Sequence, residues 1–235
     1  MSLDGEDVSG SLVRNYLFIK EKVEVLSKKY QGDKRQVSLL VASKRQKASL
    51  IQELYKHGAR LFGENYVQDA SFKKEELKGL GIEWHLLGAL QTNKVRKALN
   101  LFSTIETLDS VKLAEKLDRT SKELGVSTKC LIEVNVAKER TKSGIFEEDL
   151  WGFLEDMERF EALSLEGLMN MPPLGNNPEE SRVYFEEVYR LYEEGRRRGY
   201  PFKILSMGTS FDYEVAIECG ASLVRLGTAI FGERC

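Results

Sequence analysis

Four prolines in 235 residues and no low-complexity tract leave no place for a long linker, so the chain reads as one unit without an internal boundary. Cysteine is equally scarce. Cys130, Cys219 and Cys235 are odd in number and lack CxxC spacing, which argues against a disulfide framework or a cysteine zinc site and fits a reducing compartment. With only His57 and His85, a histidine-rich metal centre is also excluded. No apolar run approaches the length of a bilayer span. The polar, acidic first ten residues lack the basic and apolar regions of a signal peptide, so the expected location is cytoplasmic. The 35 basic and 37 acidic residues leave a net charge of -2, which advertises neither nucleic acid nor an anionic membrane as partner. Any anion site has to be local.

What is present is ordinary in amount, 42% hydrophobic and 31% charged, and regular in arrangement. The run Leu39-Leu40-Val41-Ala42-Ser43-Lys44 sets the frame. Residues 37–43 are rich in aliphatic and β-branched side chains with no glycine, proline or charge, the pattern of a strand buried on both faces, and Lys44 falls at its C-terminal tip. Before it, Leu12, Tyr16, Ile19, Val23 and Leu26 form a helical stripe over residues 11–31, an added helix packed outside the core. After it, the patterns predict strands over 37–43, 59–62, 84–87, 101–105, 129–136, 165–169, 202–206 and 222–226, each but the last followed by a helix. Such alternation implies a parallel sheet, and eight strands close it. The expected fold class is therefore α/β, a single (β/α)8 TIM barrel spanning 1–235, with residues 1–36 as an N-terminal extension and helix and 37–235 as the barrel. An open doubly wound sheet is the alternative, but the first βα turn, Ser43-Lys44-Arg45-Gln46, has none of the glycines of a dinucleotide fingerprint.

A barrel keeps its chemistry at the C-terminal ends of its strands. Lys44 lies at the first of these, where an amine whose stem rests on an apolar strand end can be partly desolvated and attack a carbonyl. The alternative is a solvated lysine opening a loop, since Arg45 and Lys47 follow. After strands seven and eight come Ser206-Met207-Gly208-Thr209-Ser210 and Gly227-Thr228, small-residue turns at the two places where barrels commonly hold phosphate. Ordinary helix caps are the competing reading. Arg225 alternates with Val224 and Leu226 in the eighth strand. Facing the interior, it needs a partner: a ligand ring nitrogen or carboxylate at the mouth, or a barrel-lining acid such as Glu64 or Glu133. Lysine, phosphate loops and interior arginine together point to pyridoxal 5'-phosphate, held as a Schiff base on Lys44 with Arg225 against the pyridine nitrogen. Asn65 and Asn135, at strand ends, are candidates for the ring hydroxyl or a substrate carboxylate.

Several ordered motifs carry a resemblance: Val41-Ala42-Ser43-Lys44, Phe62-Gly63-Glu64-Asn65-Tyr66-Val67-Gln68, Trp84-His85 with Gly88 and Gln91-Thr92-Asn93-Lys94, Lys142-Ser143-Gly144, Gly167-Leu168-Met169, Leu205-Ser206-Met207-Gly208 with Ser210 and Asp212, and Val224-Arg225 with Gly227-Thr228-Ala229-Ile230-Phe231-Gly232-Glu233-Arg234. Over residues 37–234 the chain resembles the pyridoxal phosphate homeostasis protein family, also called YggS or PROSC. The resemblance implies a barrel like the N-terminal domain of alanine racemase, with the cofactor on Lys44. It implies that Ser206, Gly208, Thr209, Ser210, Gly227 and Thr228 surround the phosphate, that Arg225 lies by the pyridine nitrogen, and that Asn65 and Met169 belong to the cofactor-binding set. It also implies carriage or buffering of the cofactor in vitamin B6 and amino-acid homeostasis, with apo-enzymes and small amino acids as expected partners. Three places depart from the family pattern: Ala89 where histidine is common, Thr209 where methionine is usual, and Val136-Ala137-Lys138 where small hydroxyl residues and glycine are usual.

A two-base racemase needs a second acid or base opposite the lysine, supplied in related enzymes by a C-terminal β domain. The eight residues after Gly227 leave no room for one, so the expectation is a monomer without classical turnover. An arginine at the pyridine nitrogen also disfavours its protonation and makes the ring a poorer electron sink. A weak amino-acid racemase or lyase is the enzymatic alternative. A phosphosugar-type barrel enzyme would share the lysine and the phosphate loops.

Overall fold

The computed structural model describes residues 4–32, 36–139 and 141–232, with side chains from residue 10 onward. Cys235, the Glu233-Arg234 end of the last motif and Asp33 lie outside the described residues. Eight strands pair in sequence order, β1 (Ser38–Ala42), β2 (Leu61–Glu64), β3 (Glu83–Leu86), β4 (Thr104–Leu108), β5 (Thr128–Glu133), β6 (Leu163–Met169), β7 (Ile204–Ser206) and β8 (Leu223–Leu226). Every pairing is parallel. The register Leu40↔Arg225 between β1 and β8 closes the barrel. Helices alternate with the strands as α1 (Asp4–Gln31), α2 (Ala48–Lys56), α3 (Val67–Glu76), α4 (Val95–Leu99), α5 (Val111–Leu124), α6 (Leu150–Met157), α7 (Arg182–Arg197), α8 (Tyr213–Glu218) and α9 (Thr228–Phe231). The expected eight-stranded barrel with its added N-terminal helix is present. Among the described residues no helix is long and apolar enough to cross a membrane.

Most apolar burial lies between the wall and the helices. Alternate strand residues such as Val41, Phe62, Leu86, Ile105, Ile132, Leu168, Leu205 and Val224 face outward into the same core as Ile51, Leu54, Leu117, Phe185 and Val188 of the helices. Each such side chain contributes roughly 1.5–3 kcal/mol when fully buried. The stripe Leu12, Tyr16, Ile19 and Val23 joins α1 to this core, and α1 packs on α2, α8 and α9, covering the seam where β1 meets β8.

Two strands run later than their patterns predict. β2 takes in Gly63 and Glu64, and glycine is required at 63 because a side chain there would collide with Leu40 and Leu87. β4 begins at Thr104 instead of residue 101. Leu101 and Phe102 are held back by N–H bonds to Ala98 O, and β4 runs on past Ile105 through Glu106, whose carboxylate has interior partners. The short helix α9 after β8 was also not anticipated.

Candidate functional site

The turn after β1 presents Lys44. Gln46 N–H donates to Ser43 O at 3.0 Å, and Arg45 sits at φ 62°, a left-handed conformation that a non-glycine residue holds only with support. That support lies behind the turn. The buried Ser43 hydroxyl donates to Glu64 Oε1 at 2.6 Å, while Lys73 Nζ, from α3, donates to Ser43 O at 2.7 Å and to Glu64 Oε1 at 2.5 Å. Burial pushes the Glu64 carboxyl above its ordinary range, against the pull of Lys73 and Ser43. Lys44 itself is exposed, and its amine has no hydrogen-bond or ion-pair partner among the described residues.

Lys44 reaches the edge of a cavity of about 210 Å³ at the C-terminal mouth of the barrel. The structure brings Asn65, Met169, Thr209, Ser210, Arg225, Gly227 and Thr228 onto the same wall, together with Ala42, Leu87, Met171 and Phe211, which sequence reading did not single out. A larger hollow of about 520 Å³, near the end of α1, contains none of the strand-tip residues. Ser210 is the best-prepared donor. Its Oγ accepts N–H bonds from Gly227 at 3.0 Å and Ala229 at 3.1 Å, so both acceptor positions are filled and its own proton is left to donate. Thr209 is differently engaged: its hydroxyl and its N–H both donate to Asp212 Oδ1, at 3.0 and 2.8 Å, and Asp212 is held in turn by Ser181. Gly227 keeps the floor open, since a Cβ there would stand 3.1 Å from Ala42 O.

Two expected members are off the wall. Gly208 shapes the loop from behind with φ 91°, and its carbonyl accepts the Arg225 N–H at 3.0 Å. Ser206 is fully buried, its Oγ accepting from Arg225 Nη1 at 2.5 Å and donating to Glu106 Oε2 at 2.6 Å. Asn135 is also elsewhere, its side chain tying the 135–139 loop to the Glu139 backbone.

Arg225 faces the interior with a structural partner that differs from those weighed in the sequence. Glu64 is committed to Lys73, and Glu133 makes no ion pair with Arg225. The nearest carboxylate is Glu106 at 3.9 Å, bridged by Ser206, and Nη2 donates to Asn170 O at 2.8 Å and contacts Met171 Sδ at 2.9 Å. Burial lowers the Arg225 pKa, with Glu106, Asp212 and Glu133 acting in the opposite sense. Glu106 meets His85 Nδ1 at 2.6 Å. Burial alone would neutralise both, yet the pair overcomes it: His85 is raised to about 9 and Glu106 is held below the ordinary carboxylate range. Glu106 lies one residue beyond the strand predicted over 101–105, and the sequence reading did not single it out.

An unpartnered lysine amine, a serine hydroxyl with its proton free and an interior arginine therefore meet at the mouth of one parallel barrel. The alanine racemase N-terminal domain family matches residues 19–235. A pyridoxal phosphate homeostasis protein of Aquifex aeolicus is 42% identical over 197 residues, covering 83% of this chain and 86% of that protein. One from Haemophilus influenzae is 35% identical over 228 residues, covering 95% and 96%. The structure of PipY from Synechococcus elongatus with pyridoxal phosphate bound superposes with a TM-score of 0.84 at 34% identity, covering 94% of this chain and all of that one. An alanine racemase from Clostridium difficile, 15% identical with a TM-score of 0.72, shares the fold. The chain belongs to the pyridoxal phosphate homeostasis protein family.

Proposed function

We propose that this protein binds pyridoxal 5'-phosphate on Lys44 and serves its homeostasis, carrying or buffering the cofactor without classical turnover. The observation that carries the reading is the meeting of an unpartnered Lys44 amine, the freed Ser210 proton and the Arg225 guanidinium around one cavity. These residues fit the group. Pyridoxal phosphate supplies an aldehyde that condenses reversibly with a primary amine, and a ring that withdraws electrons. Lys44 provides the amine. Ser210 and Thr228 would donate to the phosphate beside the Gly227 floor, Asn65 would serve the ring hydroxyl, and Met169 would line the ring's side of the cavity. Arg225 would donate toward the ring nitrogen and disfavour its protonation, so that the ring would withdraw electrons less and support amino-acid chemistry poorly. The exposure of Lys44 suits exchange with solvent or with an apo-enzyme. Every residue in this assignment comes from one barrel, so the site needs no second copy of the chain, and a monomer is sufficient for this reading.

Borohydride reduction of the purified chain with added pyridoxal phosphate, followed by peptide mass mapping, tests the assignment. The expected result is one phosphopyridoxyl adduct on the Lys44 peptide, absent after Lys44→Ala. An adduct spread over surface lysines would return Lys44 to a solvated loop. Saturable turnover of a D- or L-amino acid at an ordinary enzymatic rate would overturn the carrier role.

A further inference from the structure

Arg225 is the inner end of a buried chain of polar contacts that crosses the barrel. Strands β4 and β7 are not neighbours in the closed sheet, so the 2.6 Å bond from Ser206 to Glu106 has to span the interior. The direction of each bond is fixed by chemistry. A guanidinium only donates, so Ser206 Oγ accepts from Arg225, and the serine proton goes to Glu106, which as a carboxylate only accepts. The other oxygen of Glu106 takes His85 Nδ1. On its far side His85 Nε2 lies 3.6 Å from Glu83, at the N-terminal mouth, where His85 lines a second small hollow with Lys129 and Glu166.

Nothing in cofactor binding as proposed above uses Glu106 or His85. Neither lines the cavity, yet both are almost completely shielded from solvent, and buried ionic groups are costly unless held in a complete network. We infer that Glu106 and His85 are positioning residues for Arg225: through Ser206 they fix the guanidinium and set the charge it presents to the ring nitrogen of the cofactor. His85 orients Glu106, Glu106 orients the Ser206 hydroxyl, and Ser206 together with Asn170 O leaves one edge of Arg225 facing the cavity. The inference rests on the cofactor reading but concerns residues that reading leaves idle.

The test is a double-mutant cycle on the full chain, read by pyridoxal phosphate titration and by the absorption maximum of the bound chromophore at one pH. Glu106→Gln keeps the side-chain length and removes the charge. It is expected to weaken binding about tenfold, the size of a lost hydrogen bond to a charged group, and to move the absorption maximum. In an Arg225→Gln background the same change should have no further effect on either readout, because Glu106 acts only through Arg225. A purely structural Glu106 would lower the melting temperature and leave the absorption maximum in place, which overturns the inference. So would a full Glu106→Gln effect in the Arg225→Gln background. Should Glu106→Gln fail to fold, Ser206→Ala breaks the same link with a smaller change, and an unchanged spectrum and affinity there overturns the inference equally. Failure of the wild-type chain to take up the cofactor on Lys44 is a separate result, and it removes the binding reading itself.

Discussion

Lys73 Nζ stands 2.5 Å from Glu64 Oε1 and 2.7 Å from Ser43 O, so one ammonium from α3 holds both the end of β2 and the turn that carries Lys44. Both partners are shielded from water. Removing one member of such a pair strands the other charge, at a cost of about 3–5 kcal/mol. Lys73→Met should therefore lower unfolding free energy by about that amount in urea titration. Adding Glu64→Gln should restore much of it, since the stranded carboxylate is gone. If Lys73→Met alone leaves stability unchanged, the pair is not holding the turn.

Glu133, at the end of β5, gives a pH dependence with an unusual sign. Burial and the nearby Asp109 raise its carboxyl from 4.5 to about 7, with Arg225 and Lys142 pulling the other way. A raised acid binds its proton more tightly folded than unfolded. Stability therefore falls as pH rises from about 4.5 to about 7, by at most about 3 kcal/mol, and the loss is complete above that window. Urea midpoints at pH 5 and pH 7.5 should show this slope in the wild type and a flatter one in Glu133→Gln. Equal slopes in both would assign the effect to other groups.

Ser210 and Thr209 are adjacent hydroxyls with opposite engagements, which separates their expected phenotypes. Ser210→Ala removes the donor facing the cavity and frees the N–H groups of Gly227 and Ala229. Affinity for pyridoxal phosphate should fall about tenfold to a hundredfold, as for a lost bond to a charged group. Thr209→Val removes a bond to Asp212, whose Oδ1 keeps the Thr209 N–H, so it should cost about 1 kcal/mol of stability and less in affinity than Ser210→Ala. Calorimetric titration of the two variants side by side distinguishes them. The reverse order would mean that the cavity donor is Thr209.

The barrel was readable because helix and strand periods alternate along the chain, and Lys44, Ser210, Arg225 and Thr228 were readable because strand ends place them on one face. Period-two reading turned Arg225 inward, but it could not choose the partner. Contacts across a barrel interior join strands distant in sequence, and no local pattern pairs position 106 with position 206. The same blindness hid Lys73, which with Lys74 looks like a solvated lysine on α3 until the fold sets it against Glu64. Ser206 was assigned to the phosphate with the turn that follows it, as the resemblance implied, whereas it is the last residue of β7 and its side chain points into the barrel.

Gly208 gives a last expectation that depends on geometry behind the cavity. Its φ of 91° lies where side chains are strained, and a Cβ would sit 2.5 Å from the Ala216 Cβ and 3.0 Å from the Tyr213 Cα. Backbone strain of this kind costs about 1–3 kcal/mol, and overpacking against α8 adds a similar amount. The loop cannot relax freely, because the Gly208 carbonyl takes the Arg225 N–H and Thr209 is tied to Asp212. Gly208→Ala is thus expected to lower the melting temperature and, by displacing Ser210 and Arg225, to weaken pyridoxal phosphate binding although position 208 does not line the cavity. A variant with wild-type melting and wild-type affinity would show that this loop is soft, and that Ser210 is placed by its bonds to Gly227 and Ala229 alone.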